Sequence, residues 1–396
     1  MQEEFYFLEK IVIVAAKRTP IGKFRGQFKQ MSAVELGIAC LNGILSEQPI
    51  ADQIDQVLIG NVLGAGLGQN PARQIAMGSG LPNRVTATTI NDVCGSSLKA
   101  LHYAQLSLLS GEANVVVAGG VESMSNAPLL LQRPDKKQPV DRQGLLIDSL
   151  FADGLTDAMT QEAMGKEIEQ LVAQRHYTRQ QQDDYANRSQ QKAAKAAADQ
   201  LFDAEIVPIR VDDQWLTHDE SVRSATTLEG LAALRPSFAA DGTITAGNAS
   251  PLNDGASMVV LTTASYAQTQ HWPILAAVGE FSEVGVASPD FGIAPIQAIQ
   301  NVLTKAHLQV TDIDRYELNE AFAAQAIAVQ EGAKIPVERL NVTGGAIALG
   351  HPLGATGTRL IVTLAHALQR DDKQHGIATL CIGGGQGIAV HLTREG

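Results

Sequence analysis

Only three cysteines occur in 396 residues, with no Cys-x-x-Cys pair and no accompanying histidine cluster. So sparse and odd a set disfavours a disulfide framework or a zinc site, and no metal is expected. Reduced thiols point to a cytoplasmic setting. Aromatic residues make up only 5% of the chain against 45% apolar residues overall. Packing must therefore rest on Ala, Val, Ile and Gly, which suits close helix–sheet layers. Basic residues are outnumbered by acidic ones, 30 to 42, leaving a net charge of −12. That balance disfavours nonspecific nucleic-acid binding, which relies on Lys and Arg against phosphate; an anionic ligand would need a local basic patch. No apolar run approaches the roughly 18 residues of a membrane span, and Met1-Gln2-Glu3-Glu4-Phe5 is acidic where a secretory signal is basic. The glycine-rich segments carry no Walker lysine, and no Gly-x-Gly-x-x-Gly opens a helix after the first strand, so nucleotide loops of those kinds are weak readings.

What is present is an ordered repetition. The first half reads as strand Ile11–Ala16, helix Ser32–Ser46, strand Ile54–Gly60, strand Val85–Ile90, helix Ser97–Ser110 and buried strand Ala113–Ala118, ending in Gly119-Gly120. The second half reads as strand Pro273–Val278, helix Ala294–Ala306, strand Ile313–Leu318, the Asn341–Gly350 stretch, helix Ala355–Gln369 and strand Ile377–Ile382, ending in Gly383-Gly384. Such alternation predicts α/β halves with largely parallel sheets and helices on their faces. The expected division is residues 1–121, completed by 256–270, then an inserted segment 122–255, then 271–396. Within the insertion, Gln132–Pro139 reads as an exposed polar loop suited to subunit contacts. Thr178 with Gln181 predicts a capping box opening a helix towards Ala198. The polar stretch Val211–Gly242 reads equally as a substrate-covering loop or a solvated connection.

Three reactive groups lie in special frames. Cys94, in Asn91-Asp92-Val93-Cys94-Gly95-Ser96-Ser97, falls where a strand gives way to a helix, a position that favours a thiolate. Cys381 precedes three glycines, whose backbone approaches a ligand closely and offers N–H groups to an oxyanion. His351, between Gly350 and Pro352, reads as an exposed, rigidly held imidazole. Each has a plainer reading as a packed or structural residue, and Cys40, inside the apolar run Leu36–Leu45, fits that reading. Two thiols and an imidazole suit carbon–carbon bond chemistry on thioesters.

At these residues the chain resembles the thiolases along essentially its whole length. The Cys94 segment is similar to their Asn-x-x-Cys-Gly-Ser-Gly, and Gly119-Gly120-Val121-Glu122-Ser123-Met124-Ser125 to their Gly-Gly-x-Glu-Ser-Met-Ser. Asn319-Glu320-Ala321-Phe322-Ala323, Gly350-His351-Pro352 and Cys381-Ile382-Gly383 match further blocks. The resemblance implies an αβαβα sandwich of two similar βαβ-rich halves with an inserted loop domain for coenzyme A, in dimers or tetramers. It implies acetyl-CoA C-acetyltransferase activity, with Cys94 as nucleophile, His351 as its activator and Cys381 as the proton carrier. Asn319 would fix a water that, with the His351 imidazole, binds the enolate oxygen, and the N–H groups of Cys94 and Gly383 would bind a second oxyanion. Arg223, Ser250, Met164 and Phe322 fall at positions that contact coenzyme A or line its tunnel. Acyl-CoA thioesters are thus substrates and no separate cofactor is implied.

Departures from the family pattern are Ser97 for glycine, Pro251 after Asn-Ala-Ser, Ala163 before Met164, and Phe291 before Gly292. The last two bear on acyl-chain length, which leaves a 3-ketoacyl-CoA thiolase of fatty-acid β-oxidation as the alternative. Val211–His218 also lacks the Lys/Arg cluster of many relatives, which implies modest affinity for coenzyme A. A cysteine-dependent thioester hydrolase uses Cys94 and His351 but gives Cys381 no work. A noncatalytic carrier predicts a Cys94 no more reactive than Cys40.

Overall fold

The structure, a computed structural model, describes residues 9–131 and 146–395. The polar loop Gln132–Pro139 lies outside the described residues. In chain order the first elements are β1 (Ile11–Arg18), α1 (Ala33–Glu47), β2 (Gln56–Gly60), α2 (Pro71–Gly78), β3 (Thr86–Ile90), α3 (Ser96–Leu109) and β4 (Val115–Ser123). Helix α1 starts at a capping box in which Ser32 and Glu35 satisfy each other's backbone N–H groups. Leu36, Cys40, Leu41 and Ile44 then form its buried stripe. Strand β4 is buried at every residue, which is why it reads as an unbroken apolar run rather than an alternating one.

Two helices of the insertion follow, α4 (Met164–Arg175) and α5 (Arg179–Ala198), the second opened by the expected Thr178–Gln181 capping box. Val211–Gly242 is less irregular than expected. Its start belongs to a hairpin of Ile209–Val211 with Gln214–Leu216, turned by Asp212 and Asp213 at positive φ, and Thr227 caps a short helix at Leu228–Ala232.

The chain continues with β5 (Asn253–Thr263), β6 (Ala276–Gly285), α6 (Ala294–Lys305), β7 (Arg315–Leu318), α7 (Ala323–Gly332), α8 (Leu353–Arg370), β8 (His375–Ile382) and β9 (Gln386–Thr393). The main sheet runs β7-β8-β9-β6-β1-β5-β4-β2-β3, with a two-residue strand, Gly22–Lys23, beside β5. It is mixed, not largely parallel. Strands β3, β2 and β4 pair parallel, as do β7 and β8. Every other pair in the path is antiparallel. The reason is local: β9, absent from the sequence reading, folds straight back on β8 through Gly383–Gly385, a tight reversal that only antiparallel strands allow.

The two halves join where β1 meets β6, Ile11 opposite Val278 and Ile13 opposite Ala276. Outwards from that seam the pairing orders match: β1-β5-β4-β2-β3 on one side and β6-β9-β8-β7 on the other. Leu340 bridges parallel to Tyr316 of β7, in the place that β3 takes beside β2. Helices α3 and α8 pack on each other between the two half-sheets, where Leu98, Leu101, Leu360 and Ile361 meet Val116, Leu380 and Ile388. Helices α1 and α2 cover one outer face and α6 the other, giving the α-β-α-β-α layering that the resemblance implies. One contact fixes how close the central layer comes. A Cβ on Gly120 of β4 would lie 1.9 Å from the Gly354 carbonyl oxygen, so only glycine lets β4 and the start of α8 touch backbone to backbone.

Candidate active site

Cys94 occupies the loop between β3 and α3, and the loop is stitched to itself. Asn91 Oδ1 accepts the Val93 N–H at 3.0 Å, the Asp92 N–H donates to Ser96 Oγ at 2.9 Å, and Ser96 Oγ donates to the Val93 carbonyl at 2.6 Å. Val93 takes a left-handed backbone, φ 46°, which turns the half-buried Cys94 inward. The helix terminus does not win the thiol's ionisation. Burial pushes the Cys94 thiol up to about 12, helped by the Asp92 and Glu122 carboxylates, against the N–H groups of Gly383 and Cys94 itself, which pull it down. The position expected to favour a thiolate thus holds a neutral thiol at rest.

His351 is buried, only 5% exposed, and not the exposed imidazole expected from its glycine-rich frame. Its backbone N–H donates to Asn253 Oδ1 at 3.0 Å. Gly350 reaches it at φ +116°, and a Cβ there would strike the Asn253 side chain. Thr356 Oγ1 donates to the Pro352 carbonyl at 2.8 Å and lies 2.6 Å from His351 Nδ1. With its own proton committed, the hydroxyl accepts from Nδ1–H, which leaves the lone pair on Nε2. Nε2 is 3.3 Å from Asn319 Nδ2. Burial, with the nearby Arg359 charge, pushes the imidazole down to about 3, so it is a neutral base through the physiological range.

Cys381 is the next-to-last residue of β8, 1% exposed, and its thiol is also pushed up, by burial and then by the Cys94 sulfur. Cys94, His351, Cys381 and Gly383 line one cavity of about 390 Å³. Arg223, Ser250, Met164 and Phe322 line the same cavity. Phe322 packs edge-on against Phe238, the rings 6.0 Å apart, while Arg223 is exposed. Asn319 does not line the cavity and joins the cluster through His351 alone. Apolar side chains, among them Met124, Leu155, Leu252 and Phe291, supply most of the remaining wall.

Comparison with known proteins places the chain in a family. The model of the thiolase N-terminal domain matches residues 11–265, and that of the thiolase C-terminal domain matches residues 272–394. The chain belongs to the thiolase family. It is similar to a probable acetyl-CoA acyltransferase of Staphylococcus epidermidis, 46% identical over 98% of this chain and 99% of the relative. The solved structure of human mitochondrial 3-ketoacyl-CoA thiolase in complex with CoA superposes with a TM-score of 0.94, at 36% identity over 98% of each chain. The Bacillus anthracis acetyl-CoA acetyltransferase gives the same TM-score at 37% identity, over 98% of this chain and 99% of that one. This thiolase is accordingly an acyltransferase.

Several residues that hold the thiolase site escaped the sequence reading. Thr356 follows His351 by five residues, in the first turn of α8, and its spacing was a usable signal. Asn253 was not, since nothing local marks it as the partner of His351. Its Nδ2 donates to the Gly22 carbonyl and to Ser221 Oγ, tying the segment before Arg223 to the histidine loop. Ser97, noted in the sequence as a departure from the motif it resembles, is fully buried and accepts the Thr358 N–H at 2.9 Å, so its hydroxyl links α3 to α8. Among the described residues no His, Cys, Asp and Glu group fit for a metal occurs, and no helix is long and apolar enough to cross a membrane.

Proposed function

We propose that this thiolase is an acetyl-CoA C-acetyltransferase, joining two acetyl-CoA into acetoacetyl-CoA and coenzyme A, reversibly, through an acetyl-cysteine. The observation that carries it is the shared cavity of two thiols, a neutral imidazole and a glycine-rich backbone turn. In this reading His351 Nε2 takes the Cys94 proton as sulfur attacks the thioester carbonyl, and Cys381 gives its proton to the departing coenzyme A sulfur. Acetyl-Cys94, an imidazolium and a Cys381 thiolate remain, so charge and protons balance. The Cys381 thiolate then removes an α-proton from the second acetyl-CoA. The enolate attacks acetyl-Cys94, and the Cys94 sulfur leaves and recovers its proton from His351. The imidazolium and a water held by Asn319 support the enolate oxygen, while the N–H groups of Cys94 and Gly383 support the tetrahedral oxyanion. Burial helps this order of events, because neutral thiols at rest have protons to give.

Arg223, Ser250, Met164 and Phe322 would hold the coenzyme A arm, residues 122–255 acting as the covering segment between the two halves. A homo-oligomer belongs to the same reading. Incubation with acetyl-CoA should leave one acetyl group, on Cys94, by peptide mass spectrometry; acetylation elsewhere, or none, would sink the mechanism. The second reading, a thiolase for longer 3-ketoacyl-CoA, is favoured by the apolar wall of Met124, Leu155, Leu252 and Phe291, which opposes no polar group to an alkyl chain. A higher kcat/KM on 3-ketohexadecanoyl-CoA than on acetoacetyl-CoA would decide for it.

A further inference from the structure

We propose that Glu122 is a positioning residue, a single buried carboxylate that locks the loop beside the nucleophile to the helix behind the catalytic histidine. The proposal rests on the reading of Cys94 and His351 given above. Glu122 is fully buried on β4, and four donors converge on its two oxygens. Oε1 accepts from Asn61 Nδ2 at 2.9 Å and from the Leu63 N–H at 3.1 Å. Oε2 accepts from the Val62 N–H at 3.1 Å and the Gly354 N–H at 2.8 Å. No basic side chain pairs with it among the described residues. Burial pushes the carboxyl up to about 7 against the N–H groups of Leu63, Gly354 and Val62, and above that pH its charge faces the N-terminus of α8, where Gly354 is the second of 18 helical residues.

Both ends of this knot lead to the reacting groups. Asn91 Nδ2, in the Cys94 loop, donates to the Val62 carbonyl at 3.5 Å, and Gly354 follows His351 by three residues. The backbone contact between Gly120 and Gly354 leaves no slack on the β4 side. An amide cannot replace the carboxylate without loss, since its NH2 would face two N–H donors. Glu122 is also, with Asp92, one of the two carboxylates that disfavour the Cys94 thiolate; Asp254 in turn lies near Glu122. Geometry and charge therefore make opposite predictions for its removal, and that separates them.

The experiment compares wild type, Glu122→Gln, His351→Ala and the double variant, assayed by acetoacetyl-CoA thiolysis and by iodoacetamide alkylation of Cys94. A positioning role predicts that Glu122→Gln lowers kcat about 100-fold, with the KM for coenzyme A within about twofold. In the His351→Ala background the same change should cost less than about threefold, because there is no imidazole left to misplace. Alkylation at pH 8 should quicken, not slow, since a carboxylate that opposes the thiolate is gone. Glu122→Asp, which keeps the charge on a shorter arm, should lose kcat about tenfold without quicker alkylation; it also serves if the glutamine variant fails to fold. A Glu122→Gln kcat within threefold of wild type, or an undiminished loss in the His351→Ala background, would overturn the proposal. An inactive wild type would instead sink the thiolase reaction assigned above.

Discussion

Strands β2 and β7 hold matching places in the two halves, and each ends in an asparagine, Asn61 after Gly60 and Asn319 after Leu318. Both side chains are buried, and in both the Nδ2 group is used while Oδ1 has no partner among the described residues. Asn61 Nδ2 donates to Glu122, whose every contact is a saturated hydrogen bond; Asn319 Nδ2 meets the one free nitrogen of His351. The neighbouring strand ends differ in the same sense. β4 runs into Glu122 and presses on α8, whereas β8 ends in Cys381 and the open turn at Gly383. A repeated frame has thus divided its labour: one copy turns its asparagine to a carboxylate that holds geometry, the other turns its asparagine to the imidazole that reacts.

The largest test of that division is on the reactive side. Cys381→Ala should lower condensation of acetyl-CoA by about 10³-fold or more, while acetyl transfer onto Cys94, followed by mass spectrometry, continues. Unimpaired condensation would remove Cys381 from the mechanism. Next comes the asparagine pair. Asn319→Ala should cost about 100-fold in kcat with an unchanged melting temperature, as expected for a lost oxyanion support. Asn61→Ala should do the reverse, losing about 1.5–3 kcal/mol of stability as one bond to a buried carboxylate goes, with kcat within about threefold. Equal effects of the two changes on kcat would erase the contrast.

A smaller effect concerns pH. Burial raises the folded-state thiol of Cys94 to about 12, above its ordinary value, so the thiolate fraction grows as pH rises. Alkylation of Cys94 should keep accelerating beyond pH 9; a plateau near pH 7 would mean that the helix terminus governs after all. His351 has the opposite sign. Its folded value is pushed down to about 3, so between 6.5 and 3 the unfolded chain binds a proton that the fold refuses. Stability is lost as pH falls through that window, and His351→Asn should show a shallower loss by urea unfolding. The smallest change is Ser97→Gly, which breaks the link to Thr358 and should cost about 1–2 kcal/mol without altering kcat.

Much of this was legible in the residues. The capping box at Thr178, the unbroken apolar run of β4 and the ordered blocks around Cys94, His351 and Cys381 are local signals, read from neighbours a few positions apart. Less legible were features made by distant contacts. β9 passed unnoticed because it follows a glycine turn and continues the apolar character of β8. The Cys94 thiol and the His351 imidazole were misjudged for a shared reason, since burial depends on what the rest of the chain stacks over a loop.

By itself, then, the order of amino acids determined which groups are present, where helices and strands begin, and that two similar halves follow one another. Propensity, capping and glycine freedom act over a handful of neighbouring bonds. Only tertiary structure decided the protonation of those groups and their meeting. Desolvation and the donors around Glu122 and His351 come from segments up to 232 residues apart, brought together when the two half-sheets close on α3 and α8.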